Sequence, residues 1–430
     1  MTHINLKNEL TLEIDSLSYG PYGIGRVEGK AVMIPNTAPG DRVSAHIVES
    51  RERYAVGELV RLLRPSPARQ PPPCPYVGEC GGCPWQHVRY EAQLTAKQQN
   101  VASALRRIGK LDGFDLRPIV PSANEYHYRR RIRLQLDERQ RLGFYQPSSH
   151  RLVEIDACRI AVEAVNECLA ALRSWIRQTR SALEYLEIVT GDRPGEVVLV
   201  AKSTAGFVPN DQAAWRRLVE QEPRIRGLIL TGRDWRRTWG NTRISLLTED
   251  HICLTVEADV FTQINPEGNR RILTELLTTG DFTDQDRVLE LYGGPGNFTL
   301  SIAKRAREVV AVEGHRPSVD SGKQSAQLNH LSNINWIVSD VPAAVERLVK
   351  RRENFTKIVL DPPRAGAKGI DRHLASLGAE KILYVSCNPT TLARDLAALA
   401  TRGYKLTLAQ PVDLFPHTFH VEVLALMERV

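Results

Sequence analysis

Apolar and polar residues alternate along the chain in three different ways, and each way predicts its own kind of domain. In residues 1–64, short alternating runs such as Leu10–Ile14 and Lys30–Ile34 are separated by turns rich in glycine and proline. Short strands at such regular spacing are typical of a small β-barrel of the OB-like type. We therefore predict an amino-terminal barrel over residues 1–64.

The middle stretch, residues 65–260, begins with the proline-rich linker Pro65–Pro73 and then mixes helical and strand patterns. Apolar residues recur at helical spacing in Tyr90–Gly109 and in Val162–Arg180. The predicted strands are Arg131–Leu136, Arg141–Tyr145, Leu152–Ile155, Leu186–Val189, Glu196–Lys202, Gly227–Thr231 and Ile252–Val256. They indicate a central α+β domain with a largely antiparallel sheet, and the helix of residues 90–110 is expected to dock on the next domain.

Residues 261–430 alternate between continuous apolar runs and helical patterns. A helix is predicted over Glu267–Thr278, and the apolar runs are Arg287–Leu291, Glu308–Val312, Ile334–Val338, Lys357–Leu360, Ile382–Val385 and Val423–Met427. Strands that are buried on both faces and separated by helices are typical of a doubly wound parallel sheet. The predicted fold class is therefore α/β, with a small β-barrel, a central α+β domain and a carboxy-terminal Rossmann-like domain.

Composition adds few constraints to this picture. With 42% hydrophobic and 25% charged residues, the chain has the balance of a folded globular protein. The amino terminus lacks a charged segment followed by an apolar run, so no signal peptide is predicted, and no apolar run is long enough to cross a bilayer. We expect a cytoplasmic monomer without membrane association.

Positive charge is concentrated in the middle of the chain. The net charge is +7, and the densest basic cluster is Arg129-Arg130-Arg131-Ile132-Arg133, inside a predicted strand. Such a cluster favours the binding of phosphate groups. The alternative is that these arginines pair with carboxylates inside the central domain.

The seven cysteines do not indicate a disulfide framework, because their number is odd and no secretion signal is predicted. Cys74, Cys80 and Cys83 lie in a glycine-rich loop after the linker, and Cys158 is the best candidate for a fourth ligand. Three close cysteines and a distant fourth favour an iron–sulfur cluster, whereas zinc, which usually takes two pairs, stays open as an alternative. Cys168 lies on a helical pattern and is predicted to be a core residue.

The first strand of the last domain runs into the turn Tyr292–Asn297, which contains three glycines, and the next strand ends at Glu313. This order of strand, glycine turn, helix and acid opens a nucleotide-binding fold, in which the acid accepts hydrogen bonds from ribose hydroxyls. The turn lacks the glycine spacing of dinucleotide sites, which favours S-adenosylmethionine over NAD. Asp340 follows the third strand, where methyltransferases of this type often place an acid against the adenine amine.

Two later loops carry candidate catalytic residues. Asp361 follows a buried strand, and the two prolines after it make a rigid turn that aims its carboxylate at the pocket. Cys387 follows the next strand and precedes a helix, at the place where an open α/β sheet binds ligands. We expect the helix N-terminus to lower the pKa of the Cys387 thiol and so supply a thiolate.

Six motifs occur along the chain in this order: FTQIN, ELYGGPGNFTL, VEG, LDPPRAG, VSCNPTTLARDL and FPHTFHVE. As a set they resemble the RNA uracil-5 methyltransferases, and the resemblance covers nearly the whole chain. The barrel resembles a TRAM domain, and together with the four cysteines it narrows the resemblance to the branch that acts on 23S ribosomal RNA. Gly293 is a departure, because relatives often have a cysteine there.

The resemblance implies methylation of uracil C5 through a covalent adduct, with S-adenosylmethionine as the methyl donor. Cys387 would attack C6, Asp361 would line the site and touch the uracil edge, and Glu422 would remove the C5 proton. The implied cofactor-binding residues are Gln263, Tyr292, Asn297, Glu313, Asp340 and Asp361. The implied ligands of a [4Fe-4S] cluster are Cys74, Cys80, Cys83 and Cys158. The implied contacts to RNA, whose target base would be extruded, are Arg129, Arg130, Arg131, Arg133 and Phe261.

Three other functions remain open from the sequence. The same reaction on transfer RNA is the main alternative, because no active-site motif identifies the RNA. An amino-methyltransferase would share the Asp-Pro-Pro-Arg turn but would need neither Cys387 nor Glu422. A non-catalytic RNA-binding protein would need none of Cys387, Asp361 and Glu422, and all three are present.

Overall fold

The computed structural model describes residues 9–248 and 251–430, so the first eight residues of the predicted barrel domain lie outside the described part. Within these ranges the strands form a closed barrel, a seven-stranded sheet, a two-stranded sheet and an eight-stranded sheet. No helix in the described part combines the length and the hydropathy that a bilayer crossing requires.

The barrel is built from β1 (Glu9–Leu17), β2 (Tyr22–Val27), β3 (Lys30–Pro35), β4 (Arg42–Ser50) and β5 (Tyr54–Arg64). The strands close in the order β1-β2-β3-β5-β4, which confirms the predicted barrel. Alternate residues such as Leu12 and Val32 fill its interior, as the period of two along a strand requires. A side chain at Gly23 would collide with Thr37 and Ile14, so the close approach of strands at this point depends on glycine.

The segment after the cysteine-rich loop joins the barrel to the carboxy-terminal domain. Helix α1 (Tyr90–Ser103) continues into a π-helical turn, Ala104–Ile108, and the short strand β6 (Asp115–Leu116) follows. Val101 and Leu105 lie in the hydrophobic core of the carboxy-terminal domain, and β6 forms the edge of the eight-stranded sheet. This part of the predicted middle domain therefore packs as part of the last domain.

The central domain contains β7 (Arg131–Leu136), β8 (Leu142–Tyr145), β9 (Leu152–Glu154), α2 (Glu163–Ile176), β10 (Leu183–Thr190), β11 (Val197–Ser203), α3 (Gln212–Gln221), β12 (Gly227–Thr231) and β13 (Arg236–Gly240). The sheet order is β13-β12-β11-β10-β7-β8-β9, and it is largely antiparallel, with β11 and β12 parallel. Both helices bury their apolar residues in one core on this sheet, among them Leu169, Leu172, Trp215 and Leu218. The sequence pattern did not predict α3 or β13.

A separate hairpin follows, formed by β14 (Arg243–Leu247) and β15 (Cys253–Glu257). The prediction that the strand Ile252–Val256 belongs to the central sheet is therefore wrong. The reason is that the backbone of β15, on the edge away from β14, hydrogen-bonds to side chains of α6 in the last domain. The N–H of Thr255 donates to Ser325 Oγ at 2.9 Å, and the side chain of Asn329 bonds to both the N–H and the carbonyl oxygen of Cys253.

The last domain contains α4 (Pro266–Gly280), β16 (Arg287–Leu291), α5 (Thr299–Ala303), β17 (Glu308–Glu313), α6 (Arg316–Leu328), β18 (Ile334–Val338), α7 (Val341–Lys350), β19 (Lys357–Leu360), α8 (Asp371–Ser376), β20 (Lys381–Ser386), α9 (Pro389–Ala400), β21 (Tyr404–Val412) and β22 (Glu422–Arg429). Its sheet order is β18-β17-β16-β19-β20-β22-β21-β6. Strands β16 to β20 are parallel, and β22 is antiparallel to both of its neighbours.

This topology confirms the predicted Rossmann-like fold. Helices α7, α8 and α9 cover one face of the sheet, and α4 and α5 cover the other. The strand order reverses between β16 and β19, because the chain first builds outward to β18 and then returns to the other side of β16. In open α/β sheets, the carboxyl ends of the two strands at such a reversal border the ligand-binding crevice.

Candidate active site

The predicted catalytic residues meet at one edge of the eight-stranded sheet. Asp361 directly follows β19, and Cys387 directly follows the neighbouring strand β20. Strands β20 and β22 are antiparallel with Ser386 opposite Val423, so the adjacent residues Cys387 and Glu422 lie side by side. Strand order alone therefore brings together three residues that are far apart in the sequence.

Arg364 is a fourth member of this group, and no role was predicted for it from the sequence. Its guanidinium lies close enough to the Cys387 thiol to lower the pKa of that thiol, and its Nη2 lies 3.4 Å from His420 Nε2. The side chains of Asn388 and Thr391 donate to its carbonyl oxygen at 3.3 and 3.1 Å, which ties its loop to the start of α9. The signal in the sequence was its position directly after Asp-Pro-Pro, at the end of a buried strand.

The predicted low pKa of the Cys387 thiol is wrong. Burial and the nearby Glu422 and Asp361 carboxyls raise the pKa of Cys387 to about 11, although Arg364 opposes the shift. The N-terminus of α9 does not help the thiol, because the Asn388 side chain accepts hydrogen bonds from its first N–H groups. Cys387 is therefore a neutral thiol near neutral pH, and a base must remove its proton before it can react.

Asp361 and Glu422 place two carboxyl groups inside the site. Burial raises the pKa of Asp361 to about 7. Burial and the charge of Asp361 also raise the pKa of Glu422 well above its usual range, against the opposing charge of Arg364. Two carboxyl groups that repel each other in a buried site do not both ionise readily, so the pair retains a proton near neutral pH. Such a pair can both accept and donate protons.

A buried ion pair supports the segment that leads to Glu422. Lys97, on α1, is fully buried, and its Nζ lies 2.6 Å from Asp413 Oδ1. The same Nζ donates to the carbonyl oxygen of Phe415 at 3.0 Å, and Tyr90 Oη donates to Asp413 Oδ2 at 2.8 Å. A buried charge needs this full set of partners, because an unpaired one costs about 3–5 kcal/mol.

The same segment is tied to the cysteine-rich loop through His417. The N–H of Trp85, two residues after Cys83, donates to the His417 carbonyl oxygen at 3.0 Å, and the Gln93 side chain accepts from the His417 N–H at 2.8 Å. His417 has a φ of 67°, a left-handed conformation that is uncommon outside glycine. These contacts hold it there, and no pattern in the sequence predicted them.

The glycine turn after β16 has the conformation of a ligand-binding loop. Tyr292, Gly294 and Gly296 have φ angles of 62°, 55° and 97°. Tyr292 differs from the two glycines because a left-handed backbone conformation strains a residue with a side chain, and such strain clusters at functional sites. The N–H groups of Gly294 and His315 donate to the two carboxylate oxygens of Glu313 at 3.0 and 2.7 Å, which fixes this acid beside the turn.

The other predicted cofactor residues lie around this turn. Asn297 exchanges two hydrogen bonds with Asn269 of α4, at 2.8 and 2.9 Å. Asp340 is exposed at the end of β18 and caps α7, and burial together with the Asp340 charge raises the pKa of Tyr292. Gln263 is half-buried in the segment before α4. The ends of adjacent strands β16, β17 and β18 therefore carry most of this set.

Glu290 is a further buried carboxyl at this edge, and the sequence analysis gave it no role. Burial raises its pKa to about 8, and the charges of Asp361 and Glu313 add to the shift. Its Oε2 has no hydrogen-bond partner among the described residues. Buried polar atoms normally have a partner, so this oxygen is an exception within the described part of the chain.

The four predicted metal-binding cysteines line one cavity of the central domain. Cys74, Cys80 and Cys83 reach it from the loop after the linker, and Cys158 reaches it from the loop after β9; its volume is about 200 Å³. The N–H of Gly82 donates to Cys80 Sγ at 3.4 Å. In residues 9–248 and 251–430, no three His, Cys, Asp or Glu side chains are arranged to hold a single metal ion. The cysteines converge, but a metal site is not shown.

Two arginines of the basic cluster serve the interior of the central domain. Arg130 is 3% exposed, and its Nη2 lies 3.1 Å from Asp192 Oδ1. The Arg131 guanidinium donates to the carbonyl oxygens of Ala258 and Val260. The phosphate-binding role predicted for Arg130 and Arg131 is therefore corrected, because both guanidinium groups are turned inward and have internal partners. This is the alternative that the sequence left open.

Arg133, Arg129 and Phe261 are placed differently. The Arg133 side chain pairs with Glu187 at 2.7 Å and lies over the Tyr185 ring, yet it remains 53% exposed. Arg129 lines the cysteine cavity. Phe261 is 67% exposed, in the segment that leads to α4.

Comparison with known proteins places this site in a family. A sequence profile of the tRNA (Uracil-5-)-methyltransferase family matches residues 243–430, and a profile of the TRAM domain matches residues 7–60. The 23S rRNA (uracil(1939)-C(5))-methyltransferase RlmD of Vibrio parahaemolyticus is 32% identical over 435 residues, which cover 100% of this chain and 98% of that protein. The chain belongs to the RNA uracil-5 methyltransferase family.

Other comparisons agree with this family and with its fold. An uncharacterized RNA methyltransferase of Halalkalibacterium halodurans is 29% identical, over 99% of this chain and 98% of its own length. The tRNA (uracil-54, C5)-methyltransferase of Pyrococcus abyssi, solved in complex with S-adenosyl-L-homocysteine, is similar in structure with a TM-score of 0.73. It is 23% identical in sequence, covers 97% of this chain and is itself covered completely. The family resemblance of the sequence motifs is thus confirmed.

Proposed function

We propose that this protein methylates C5 of a specific uridine in 23S ribosomal RNA, with S-adenosylmethionine as the methyl donor and Cys387 as a covalent nucleophile. The observation that carries the proposal is the meeting of Cys387, Asp361, Glu422 and Arg364 at one sheet edge. A relative of nearly the same length is named as a 23S rRNA methyltransferase, which supports ribosomal RNA as the substrate.

The first step joins Cys387 Sγ to uracil C6. Asp361, whose pKa is raised to about 7, is partly ionised at neutral pH and is suited to remove the thiol proton. Arg364 stabilises the thiolate, and a thiolate from a thiol of high pKa is a strong nucleophile. As the Sγ–C6 bond forms, the C5=C6 electron pair moves toward the C4 carbonyl, and the resulting enolate makes C5 nucleophilic.

S-adenosylmethionine, when bound, would supply an electrophilic methyl group on a cationic sulfur, with S-adenosylhomocysteine as the leaving group. Its positive charge would also favour release to the solvent of the proton that the carboxyl pair retains, which leaves Glu422 ionised. Once C5 carries the methyl group, the proton on C5 passes to the carboxylate of Glu422. The high pKa of Glu422 makes it an effective base when it is ionised. The electrons of the C5–H bond then restore the C5=C6 bond, and the Sγ–C6 bond breaks to release the methylated uridine and the Cys387 thiolate.

The residues around the glycine turn would hold the methyl donor. Glu313 is fixed beside the turn by two N–H groups, which supports a role in binding ribose hydroxyls. Asp340 at the end of β18 would contact the adenine amine, and Gln263, Tyr292 and Asn297 would complete the pocket. Glu290 lies in β16, two residues before Tyr292, and its unpartnered Oε2 supports the binding of a polar ligand beside the glycine turn.

We also propose that Cys74, Cys80, Cys83 and Cys158 bind a [4Fe-4S] cluster. The support is that all four line one cavity of about 200 Å³. Their spacing, three close cysteines and a distant fourth, favours a cluster over zinc, which usually takes two pairs. The cluster would cross-link the linker loop to the central domain.

The RNA would be held by the barrel and by the exposed residues Arg133 and Phe261, with Arg129 as a further contact. A base must leave its stack to reach a pocket at this depth, and aromatic side chains at the rim assist such extrusion. The TRAM match and the exposure of Phe261 support this arrangement.

Methylation of transfer RNA is the second candidate, because the matched family profile and the similar Pyrococcus abyssi enzyme are both named for transfer RNA. Purified protein can be incubated with methyl-labelled S-adenosylmethionine and with transcripts of 23S rRNA fragments or of transfer RNA. We expect labelled 5-methyluridine in a 23S fragment. Label in transfer RNA alone would support the second candidate, and label in neither RNA would contradict both.

A further inference from the structure

The barrel places one of its own side chains inside the active site. Tyr19 lies in the turn between β1 and β2, and its Oη donates a hydrogen bond to the carbonyl oxygen of Cys387 at 2.8 Å. The two residues are separated by 368 positions in the sequence. This is a direct contact between the amino-terminal domain and the residue that carries the nucleophile.

Tyr19 also contacts the segment that leads to the base. Its ring meets the ring of Phe419 edge-on, with centroids 5.7 Å apart, and it meets His420 in the same way at 6.5 Å. His420 lies two residues before Glu422 and is within 3.4 Å of Arg364. One barrel side chain therefore touches both loops that converge on the uracil pocket.

The turn that carries Tyr19 is rigid. Both the N–H and the Oγ of Ser18 donate to the Tyr22 carbonyl oxygen, at 2.9 and 3.0 Å, which closes the turn on each side of Tyr19. Leu17, at the end of β1, is buried in a small core together with Trp85, which belongs to the cysteine-rich loop. The end of β1 that leads into this turn is thus packed against the cysteine-rich loop.

The Tyr19 hydroxyl keeps its proton and therefore remains a hydrogen-bond donor. Burial, with added effects of Cys387 and Glu422, raises the pKa of Tyr19 well above its usual value. The phenol therefore stays protonated over the pH range in which the thiol reacts. A donor that is always present holds one orientation of the Cys387 peptide.

We propose that Tyr19 is a positioning residue, which fixes the Cys387 carbonyl and with it the direction of the thiol, so that the barrel completes the active site as well as binding RNA. The inference rests on the proposed covalent reaction at Cys387. It makes a distinct prediction, because a residue that only binds RNA changes affinity, whereas a residue that orients the nucleophile changes the rate at saturating RNA.

The test uses a 23S rRNA fragment with 5-fluorouridine at the target position. Fluorine at C5 cannot leave as the proton does, so the methylated adduct accumulates and its formation can be timed in the full-length protein. Tyr19→Phe removes only the hydroxyl and keeps the ring contacts. Tyr22→Phe is the matched control, because it removes a hydroxyl from the same turn.

We expect Tyr19→Phe to lower the maximal rate of adduct formation by about three- to tenfold, the effect of one lost hydrogen bond. The RNA concentration at half-maximal rate should not change, the melting temperature should fall by no more than a few degrees, as expected for one hydrogen bond, and Tyr22→Phe should match the wild type. An unchanged maximal rate in Tyr19→Phe, or a change in RNA affinity alone, would overturn the inference. Absence of any adduct in the wild type would instead refute the proposed function itself.

Discussion

The four cysteines of the central cavity and Cys387 at the sheet edge are all half-buried, but they have different neighbours. In the central cavity, four thiols face one another, with Arg129 beside them. At the sheet edge, the neighbours of Cys387 are the carboxyls of Asp361 and Glu422 and the guanidinium of Arg364. The chemistry open to a cysteine is therefore set by the groups around it rather than by its exposure.

The pKa values show what this difference means. Burial and the charges of Cys158 and Cys74 raise the pKa of Cys80 to about 11, and burial with Glu422 raises the pKa of Cys387 to about 11 as well. Thiols that hinder one another's ionisation become thiolates together when they share cations, as in a metal centre. A single thiol beside carboxyls and a guanidinium can instead exchange its proton with those side chains.

The largest effect is expected when the cavity loses one thiol. Cys83→Ser removes one of the four proposed ligands, so anaerobically purified protein should lose nearly all of the roughly four irons per chain, and the broad visible absorption, that the proposal predicts for the wild type. The melting temperature should also fall, because Trp85 in the same loop bonds to His417. Cys168→Ser alters a buried core thiol outside the cavity and should keep the iron.

Metal analysis of fresh anaerobic wild-type protein tests the same proposal. Stoichiometric zinc without iron or sulfide would contradict an iron–sulfur cluster on the four cysteines. Full iron content in Cys83→Ser protein would exclude Cys83 as a ligand.

A smaller effect is expected from the cation beside Cys387. Asp361 has a pKa of about 7 and takes the thiol proton in the proposed mechanism, so adduct formation should accelerate as pH rises through 7 and level off above about pH 8. Arg364→Gln removes a charge that lowers the pKa of the Cys387 thiol and should slow the reaction at pH 8 by roughly tenfold. Arg402→Gln breaks an exposed pair with Asp371 and serves as the control. A rate that is independent of pH in both proteins would show that thiol ionisation does not limit the step.

The smallest effect on function concerns the basic cluster of residues 129–133. Arg133→Gln should weaken RNA binding a few-fold and reduce the salt slope by about one, because one proposed contact to phosphate is lost. Arg130→Gln should leave the salt slope unchanged but lower the free energy of unfolding by about 1.5–3 kcal/mol, because Asp192 loses its nearest cation and keeps Arg270 at 3.8 Å. Salt titrations and urea unfolding separate these outcomes. An equal salt slope in Arg133→Gln and wild type would exclude this contact.

Much of the last domain could be predicted from the sequence, because its strands are continuous apolar runs with sharp ends. The limits of β16, β18 and β19 agree with the predicted ones. The rule that ligands lie beyond the carboxyl ends of such strands was enough to place Asp361 and Cys387 at one edge. The central sheet was harder, since β13 (Arg236–Gly240) has no apolar alternation and so gave no strand signal.

The errors share one physical cause, which is that they depend on partners distant in the sequence. Arg130 pairs with Asp192, and the pairing of β7 with β10 brings Glu187 beside Arg131; no local pattern shows either contact. The pKa of Cys387 depends on Glu422, which arrives through the pairing of β20 with β22. Lys97 and Tyr19 reach the site from segments that are distant in the sequence, so their roles could not be predicted from those segments alone.

Glu422→Gln gives the most direct test of the proposed chemistry. The glutamine keeps the shape of the side chain but cannot take the C5 proton, so Cys387 should attack and methylation should follow without release. With methyl-labelled S-adenosylmethionine and a 23S rRNA fragment, we predict a labelled protein–RNA conjugate on a denaturing gel, absent from Cys387→Ala. Turnover of Glu422→Gln at nearly the wild-type rate with no conjugate would show that Glu422 is not the base, and methylation by Cys387→Ala would contradict the covalent mechanism.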